Sequence, residues 1–306
     1  MFIKSTHKNN PVLLFLHGGP GMPEYFLTRD FPTGLEADFT VVWWEQRGAG
    51  LSYSPDLNPD SLTIEQLIAD TIAVTDYLRG RFGVEKIYLM GHSGGSFLGL
   101  LVAQRAPELY HAYIGMGQMT YQLESERLAY DYLLAYYQQQ GDSKMVSRLT
   151  AAPPTMSVPL PEAYLRLRDD AMHRAGVGTT REMKSVISGI FLPSWLHPEY
   201  TLTEKLNIWR GKALSQGILR DGMFSTDLRE VVASLTLPVY FFHGKDDYTC
   251  SYELAKAYFE RLQAPLKGFY TFENSAHSPI FEEPERVRQI LREDVLAGKI
   301  DLADRP

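Results

Sequence analysis

The residues best suited to chemistry in this sequence surround one serine. Gly91, Ser93 and Gly95 form a Gly-x-Ser-x-Gly pattern, preceded by a short β-favouring run at 86–90 and followed by an apolar, helix-like run at 97–105. A strand, sharp turn and helix in this order hold the serine in a strained conformation and expose its oxygen at the end of a sheet. Ser93 is therefore predicted to be a nucleophile. The alternative is that it only caps the following helix.

A serine nucleophile needs a general base, and the base needs an acceptor that fixes its tautomer. His277 follows the apolar run 267–272, and Asp246 and Asp247 follow the run 239–242. Catalytic residues of parallel sheets gather at the carboxyl ends of strands, where these three residues are expected. His277 is predicted to be the base. Either aspartate could orient it, with the other serving as a turn residue.

A developing oxyanion needs preorganised N–H donors. Gly94, directly after the serine, supplies one by geometry, and the glycine-rich turn at 17–21 is predicted to bring a second, from Gly19. The alternative is that this turn only ends a strand. His17 and His92 flank glycine turns and His243 ends a strand, so these three are interpreted as packing or supporting residues.

The composition describes an ordinary globular chain. It has 306 residues, a net charge of −7 and no basic cluster, so nucleic acid is not an expected partner. Cys250 is the only cysteine, which excludes an internal disulfide and a cysteine-based metal site. The longest early apolar run, 11–16, is too short to span a bilayer, so no membrane association and a cytoplasmic location are expected. Because Cys250 lies close in sequence to Asp247, it is a candidate for lining the site.

Strand-like and helix-like segments alternate through the first part of the chain. Apolar runs at 12–16 and 39–44 end at glycine-containing turns, and a capping-box pattern at 63–66 begins a helical run that Gly83 ends. This alternation predicts an α/β fold with a mostly parallel sheet covered by helices on both sides. Strand-like runs vanish at 121–226, so residues 1–120 and 227–306 are predicted to form the core and 121–226 a helical cap inserted above the sheet.

Several motifs together resemble the proline iminopeptidase branch of the α/β-hydrolase superfamily. The resemblance covers nearly the whole chain outside the predicted cap. The motifs are His17-Gly18-Gly19-Pro20-Gly21, Trp44-Glu45-Gln46-Arg47-Gly48-Ala49-Gly50-x-Ser52, Gly91-His92-Ser93-Gly94-Gly95-Ser96, His243-Gly244-Lys245-Asp246-Asp247 and Ala276-His277-Ser278.

The resemblance implies a triad of Ser93, Asp247 and His277, with Asp247 as the acid because it is the fifth residue of the His-Gly motif. It also implies a helical cap, no cofactor and no metal. The implied reaction is release of an N-terminal residue, often proline, from a short peptide or its amide.

The chain departs from this family pattern in ways that bear on function. Gly94 stands where the family usually has tryptophan, and only about ten residues precede the first core strand, where the family has a β-hairpin. The sheet edge is therefore expected to be rebuilt or left open, and an open edge invites pairing with another chain. An aminopeptidase also needs carboxylates for the substrate ammonium group, and the predicted cap offers Glu124, Glu126, Glu162, Glu182 and Glu204.

The hypothesis is thus a serine hydrolase acting on a small molecule or short peptide, with aminopeptidase activity of the proline iminopeptidase type. A carboxylesterase, thioesterase or amide hydrolase on the same fold is the nearest alternative, because fold and triad do not fix the substrate. A non-catalytic ligand-binding protein that keeps the pocket is an alternative of another class. The sequence makes no prediction of oligomeric state.

Overall fold

A seven-stranded sheet organises the molecule, whose computed structural model describes residues 1–305. The strands lie side by side in the order β1-β3-β2-β4-β5-β6-β7, and every neighbouring pair is parallel except β1 with β3. The predicted α/β-hydrolase architecture is confirmed. The strands are β1 Phe2–Lys4, β2 Val12–Leu16, β3 Thr40–Trp44, β4 Ile87–His92, β5 Tyr110–Met116, β6 Val239–Gly244 and β7 Lys267–Phe272.

The central strands are apolar on both faces because helices cover both sides of the sheet. Every residue of β2, β3, β4 and β6 is buried. Such continuous burial is typical of parallel strands and explains their near-unbroken hydrophobic runs. The predicted bounds of β2 and β7 agree with the structure, and β3 begins one residue later than its apolar run.

The sheet edge beside β3 is rebuilt by a very short strand. β1 pairs antiparallel with β3, placing Phe2 opposite Trp43. The Lys4 ammonium at its end lies 2.8 Å from the Glu199 carboxylate. A short edge strand carrying a lysine discourages pairing with another chain. Of the two expectations for this edge, the rebuilt one is therefore observed.

Helices flank the sheet, and their ends follow the capping signals of the sequence. Thr63 accepts the Gln66 N–H at 3.0 Å at the start of α1, and Gly83 ends that helix with φ 66°. The Gln66 side chain bonds Asp70 instead of completing the predicted capping box. The helices are α1 Ile64–Phe82, α2 Gly94–Arg105, α3 Gln122–Gln139, α4 Ser143–Thr150, α5 Glu162–Ala175, α6 Leu192–Leu196, α7 Leu202–Ser225, α8 Leu228–Val231, α9 Tyr252–Arg261, α10 Pro279–Glu282 and α11 Pro284–Ile290.

The segment between β5 and β6 is helical, as its sequence predicts. Helices α3 to α8 occupy it, and no strand of the described chain falls there. Part of this segment has an apolar cluster of its own, in which Leu133, Leu149 and Leu167 are buried against one another. Its function as a cap remains a prediction at this point. None of the helices within residues 1–305 combines the length and apolar character needed to cross a lipid bilayer.

Candidate active site

Ser93 lies at the sharp junction between β4 and α2. It has φ 55° and ψ −124°, and it is the one non-glycine residue with positive φ in the described chain. Strain of this kind persists only where the surroundings enforce it. Here Gly91 and Gly95 allow β4, α2 and β2 to approach one another closely. A Cβ on Gly91 would lie 2.3 Å from the Gly95 carbonyl oxygen, and a Cβ on Gly95 would lie 2.0 Å from the Leu16 carbonyl oxygen. The predicted strand, sharp turn and helix around Ser93, called the elbow below, are therefore present.

Asp247 and His277 meet at the carboxyl ends of β6 and β7. Asp247 Oδ2 lies 2.9 Å from His277 Nδ1, while Oδ1 accepts the backbone N–H groups of Thr249 and Cys250, both at 2.9 Å. Asp246 instead faces Arg181 at 3.2 Å. The structure therefore brings Asp247, and not Asp246, into contact with His277.

His243 also contacts Asp247. Its Nε2 lies 3.1 Å from Asp247 Oδ2 and 2.8 Å from the Cys250 carbonyl oxygen, and the ring is fully buried. Burial alone would raise the pKa of Asp247, but the adjacent His277 charge and the bonds from both histidines hold that pKa below its usual range. Asp247 is thus kept as a carboxylate, and His243 is one of the groups that hold it in place.

The His277 ring is buried but opens toward the nucleophile. Burial lowers its pKa below 6.5, and the nearby Asp247 carboxylate offsets this only in part. His277 and Ser93 line one cavity, although the Ser93 hydroxyl makes no hydrogen bond to His277 within the described residues. Catalytic hydrogen bonds are often long in ligand-free structures and tighten with substrate. Ser93 and His277 therefore border the same cavity without a direct hydrogen bond between them in the described residues.

Two glycines expected to supply backbone donors lie beside Ser93. Gly19 and Gly94 line the same cavity as the serine, and a Cβ added to Gly94 would lie 3.4 Å from Gly19 N. Neither N–H donates a hydrogen bond within residues 1–305. The tryptophan usual at position 94 would also crowd Met223, whose methyl carbon lies 3.1 Å from the same Cβ position. The two N–H groups that the sequence predicts for an oxyanion thus belong to glycines that line one cavity, and neither is engaged within the described residues.

Glu24 and His92 form a second buried pair of histidine and carboxylate that the sequence analysis missed. Glu24 Oε2 lies 2.8 Å from His92 Nδ1, and Oε1 accepts the Gly18 N–H at 2.7 Å. His92 Nε2 lies 2.8 Å from the His277 carbonyl oxygen. This pair connects the glycine-rich turn, the elbow and the His277 loop. A lone glutamate after a turn carries no signal for such a contact.

Both ring nitrogens of His92 face acceptors, a carboxylate and a carbonyl. Both hydrogen bonds can form only if both nitrogens carry protons, so the geometry favours an imidazolium. Burial would lower the pKa of His92, but the Glu24 carboxylate overrides burial and raises it. Likewise, burial would raise the pKa of Glu24, whereas His92 lowers it. The pair is best described as a buried ion pair.

A first cavity, of about 190 Å³, lies between Ser93 and the helical segment. Glu126 on its wall is almost fully buried and accepts from Tyr164 at 2.8 Å and from the Arg168 guanidinium. Asp169 Oδ1 also accepts from Arg168, and its Oδ2 has no partner within the described residues. Cavity residues include Gly19, Ser93, Gly94, Gln122, Glu126, Arg168, Asp169, Gln216, Arg220, Phe224 and Cys250.

The structure separates the five glutamates that the sequence offered for binding an amine. Glu126 lines the first cavity. Glu124 pairs with Arg229, Glu162 with Arg166, and Glu204 caps α7, while Glu182 lines a cavity away from Ser93. Asp169 was not foreseen, since one acid among several on a helix has no distinguishing signal. The candidate carboxylates are therefore Glu126 and Asp169.

A second cavity, of about 170 Å³, lies on the other side of Ser93 and is more apolar. Its one ammonium group belongs to Lys212 on α7, and its one carboxylate, Glu24, is engaged by His92. Cys250 lines the first cavity, as expected, and burial raises the pKa of its thiol. Residues of the second cavity include Gly18, Gly19, Met22, Phe26, Ser93, Ile190, Lys212, Gln216, His277 and Phe281.

Comparison with known proteins agrees with this fold. The family model described as the alpha/beta hydrolase fold matches residues 11–284, so the chain belongs to this family. It is 35% identical over 286 residues to a Bacillus subtilis protein named probable aminopeptidase YbaC, covering 93% of this chain and 88% of that one. It is 24% identical over 309 residues to a proline iminopeptidase of Saccharolobus solfataricus, covering 95% and 86%. The resemblance inferred from the motifs is confirmed.

Solved structures show the same fold at lower identity. A proline iminopeptidase-related protein of Thermus thermophilus superposes with a TM-score of 0.65 at 23% identity, covering 96% of this chain and 92% of that chain. A proline iminopeptidase of Mycobacterium smegmatis gives a TM-score of 0.60 at 17% identity, covering 97% and 93%. At these identities the likeness concerns the fold alone.

Proposed function

We propose that this protein is a serine hydrolase that releases N-terminal residues from short peptides or their amides. One observation carries the proposal. Asp247 and His277 form a buried, hydrogen-bonded pair that shares a cavity with Ser93, which is held in a strained turn. The names of the relatives, probable aminopeptidase and proline iminopeptidase, support the choice of substrate.

In the proposed mechanism, His277 Nε2 takes the proton of Ser93 as the serine oxygen attacks the substrate carbonyl. Asp247 fixes the Nδ1–H tautomer of His277 and stabilises the imidazolium that forms. The N–H groups of Gly19 and Gly94 stabilise the oxyanion. His277 then donates its proton to the leaving amine, and water releases the acyl group by the reverse sequence.

We further propose that residues 121–226 act as a cap that selects the substrate. Helices α3, α5 and α7 of this segment contribute the upper wall of the first cavity. Asp169 lines this cavity, is about half exposed and has no partner at Oδ2 within the described residues, which supports a role in accepting the ammonium group of an N-terminal residue. Glu126 adds negative charge but is already bonded to Arg168 and Tyr164.

The test is hydrolysis of a small panel by the purified protein and by Ser93→Ala. The panel contains a prolyl anilide, an alanyl anilide, the N-acetylated prolyl anilide and a short-chain nitrophenyl ester. We expect serine-dependent cleavage of the two free-amine anilides and little cleavage of the blocked one. Cleavage of the ester alone would indicate an esterase, and no serine-dependent turnover would favour the ligand-binding alternative.

A matched pair of variants tests the proposed ammonium site. Asp169→Asn is expected to lower kcat/KM for free-amine anilides by about tenfold to a hundredfold, because a charged hydrogen bond is lost. Asp170→Asn serves as the control, because Asp170 faces Arg174 at 2.9 Å instead of the cavity. Equal effects of the two substitutions would contradict the assignment of Asp169.

A further inference from the structure

Lys212 on α7 stands out among the cations near Ser93 because no carboxylate within residues 1–305 contacts it directly. Within residues 1–305 its ammonium group makes neither a hydrogen bond nor an ion pair, and its nearest aromatic partner is the Trp209 ring at 5.2 Å. Arg168, by contrast, is bonded to both Glu126 and Asp169. Lys212 is therefore an unpaired cation on the wall of the second cavity.

A buried ammonium group without a bonded counterion, such as that of Lys212, lowers the stability of the folded protein unless a bound anion compensates for the lost hydration. Removing an ammonium group from water is unfavourable without a counterion, and burial accordingly lowers the pKa of Lys212. Asp169 acts on that pKa only through its charge, without a direct bond. An anionic group entering the second cavity would satisfy the ammonium group directly.

The position of Lys212 relative to Ser93 and the first cavity indicates which anionic group of a substrate would bind to it. Lys212 and Gln216 are four residues apart on α7 and therefore lie on the same helix face. Gln216 lines both cavities, Asp169 lines only the first and Lys212 only the second, so the two charged groups border different cavities, although the charge of Asp169 still reaches Lys212. If the substrate's ammonium group binds in the first cavity, its leaving group enters the second. Consecutive residues are about 3.8 Å apart, so the carboxylate of a dipeptide follows closely after the scissile bond.

We propose that Lys212 binds the C-terminal carboxylate of the leaving residue, so that dipeptides with a free carboxyl group are the preferred substrates. This inference rests on the proposed aminopeptidase function and adds the class of leaving group. The apolar side chains of Met22, Ile190 and Phe281 would then contact the side chain of the leaving residue.

The test compares an alanyl dipeptide with its C-terminal amide. For the unaltered protein we expect kcat/KM to favour the free dipeptide by about tenfold or more, mainly through a lower KM, as for a charge-assisted hydrogen bond. In Lys212→Met the ratio is expected to fall to about one, with the amide reaction little changed. Lys212→Arg is expected to restore part of the preference.

Matched controls separate recognition from general charge effects. Arg210→Met removes a cation from the exposed side of α7 and is expected to leave the ratio unchanged. Arg220→Met removes a cation from the first cavity, so it is expected to affect the dipeptide and its amide alike. A fall in the ratio for either control as large as for Lys212→Met would overturn the inference.

Binding to the Ser93→Ala protein, measured by calorimetry, distinguishes failure of the inference from failure of the proposed function. Tighter binding of the dipeptide than of its amide, abolished by Lys212→Met, supports the carboxylate site even if turnover is absent. Serine-dependent cleavage of the amide without preference for the dipeptide overturns this inference and leaves the aminopeptidase proposal standing. Binding of neither peptide, with no turnover of either, overturns both.

Discussion

Two buried pairs of histidine and carboxylate lie beside Ser93, and they differ in what the second ring nitrogen faces. In the pair of His277 and Asp247, Nδ1 contacts the carboxylate and the ring borders a cavity. In the pair of His92 and Glu24, both nitrogens are engaged, Nδ1 by the carboxylate and Nε2 by a carbonyl oxygen. In the proposed mechanism the first pair gains and loses a proton, whereas the contacts of the second pair favour a protonated His92.

The rings of the two histidines are close, with centroids 4.8 Å apart. The charge of His92 lowers the pKa of His277, while the bond from His92 Nε2 holds the His277 backbone. In our proposal, the same pair of residue types therefore serves as a base where Nε2 borders the cavity and as a structural support where Nε2 contacts a carbonyl oxygen. Substitutions in the two pairs are therefore expected to have different effects.

The largest expected effect is on activity, in the pair that faces the cavity. His277→Gln is expected to lower kcat by about 10³-fold or more, because it removes the general base of the proposed mechanism. The measurement is steady-state hydrolysis of a free-amine anilide. His92→Gln provides the comparison and is expected to lower kcat much less, by about tenfold, through loss of positioning. Equal losses would mean that the two histidines are not functionally different.

Asp247→Asn is expected to lower kcat by about 10³-fold while keeping the fold, because an amide at this position favours the wrong His277 tautomer. Circular dichroism checks the fold and anilide hydrolysis checks the activity. Asp246→Asn is the matched control, since Asp246 faces Arg181. A larger loss in Asp246→Asn would contradict the contact that assigns Asp247.

The next largest effect is expected on stability, in the pair of His92 and Glu24, where both ring nitrogens of the histidine are engaged. His92→Leu leaves the Glu24 carboxylate buried and unpaired, so the free energy of unfolding is expected to fall by about 3 kcal/mol. Urea unfolding is the measurement. The His92 contribution is full below about pH 6.5 and is lost as pH rises through its raised pKa. The Glu24 contribution is full above about pH 4.5 and is lost as pH falls through its lowered pKa.

The difference in unfolding free energy between the original protein and His92→Leu should therefore diminish as pH falls through the lowered pKa of Glu24, and should diminish again as pH rises through the raised pKa of His92. A difference that grows steadily above pH 6.5 would show that His92 is neutral in the folded protein. The Glu24→Gln variant gives a second measurement of the same pair.

The pH dependence of kcat/KM is expected to report the titration of His277, the histidine of the pair that borders the cavity. His277 must be neutral to accept a proton, and its pKa is lowered. We therefore expect kcat/KM to fall as pH decreases, with a midpoint below pH 6.5; this decrease is the acid limb of the profile. Glu282 also titrates nearby, since burial raises its pKa to about 7 while it accepts the N–H groups of Ala276 and Ser278. The Glu282→Gln variant is expected to show the same decrease of kcat/KM at low pH. If the decrease is absent in this variant, it belongs to Glu282 and not to His277.

The smallest effect is expected at Cys250. Its thiol lines the first cavity but is buried, and its raised pKa keeps it protonated at neutral pH. Thiolates, not thiols, react with alkylating reagents. Treatment with iodoacetamide at pH 7 is expected to leave anilide hydrolysis unchanged, and rapid inactivation would show that the thiol is accessible and ionised.

The sequence predicts the parts of this molecule that depend on local patterns. The elbow around Ser93, the cap at Thr63 and the helix end at Gly83 each rest on a few adjacent residues whose types restrict the backbone. The mostly parallel sheet follows from the alternation of strands and helices. The meeting of His277 with an aspartate follows from their positions after neighbouring strands, although the residues alone left Asp246 and Asp247 equivalent.

The remaining features depend on contacts between residues distant in sequence. Glu24 and His92 are 68 positions apart, and nothing in either segment marks them as partners. The selection of Asp169 and Lys212 from many charged residues depends on how the helices of 121–226 pack over the sheet. Packing of this kind is set by many weak contacts, which no short motif encodes.

The most direct test of Ser93 as a nucleophile activated by His277 is covalent labelling with a fluorophosphonate followed by peptide mass mapping. We predict one adduct, located on Ser93, which forms rapidly in the original protein. In His277→Gln it should form at least about a hundredfold more slowly, as expected when a general base is lost. An adduct on another serine, no adduct at all, or labelling of Ser93 at an unchanged rate in His277→Gln would contradict this mechanism.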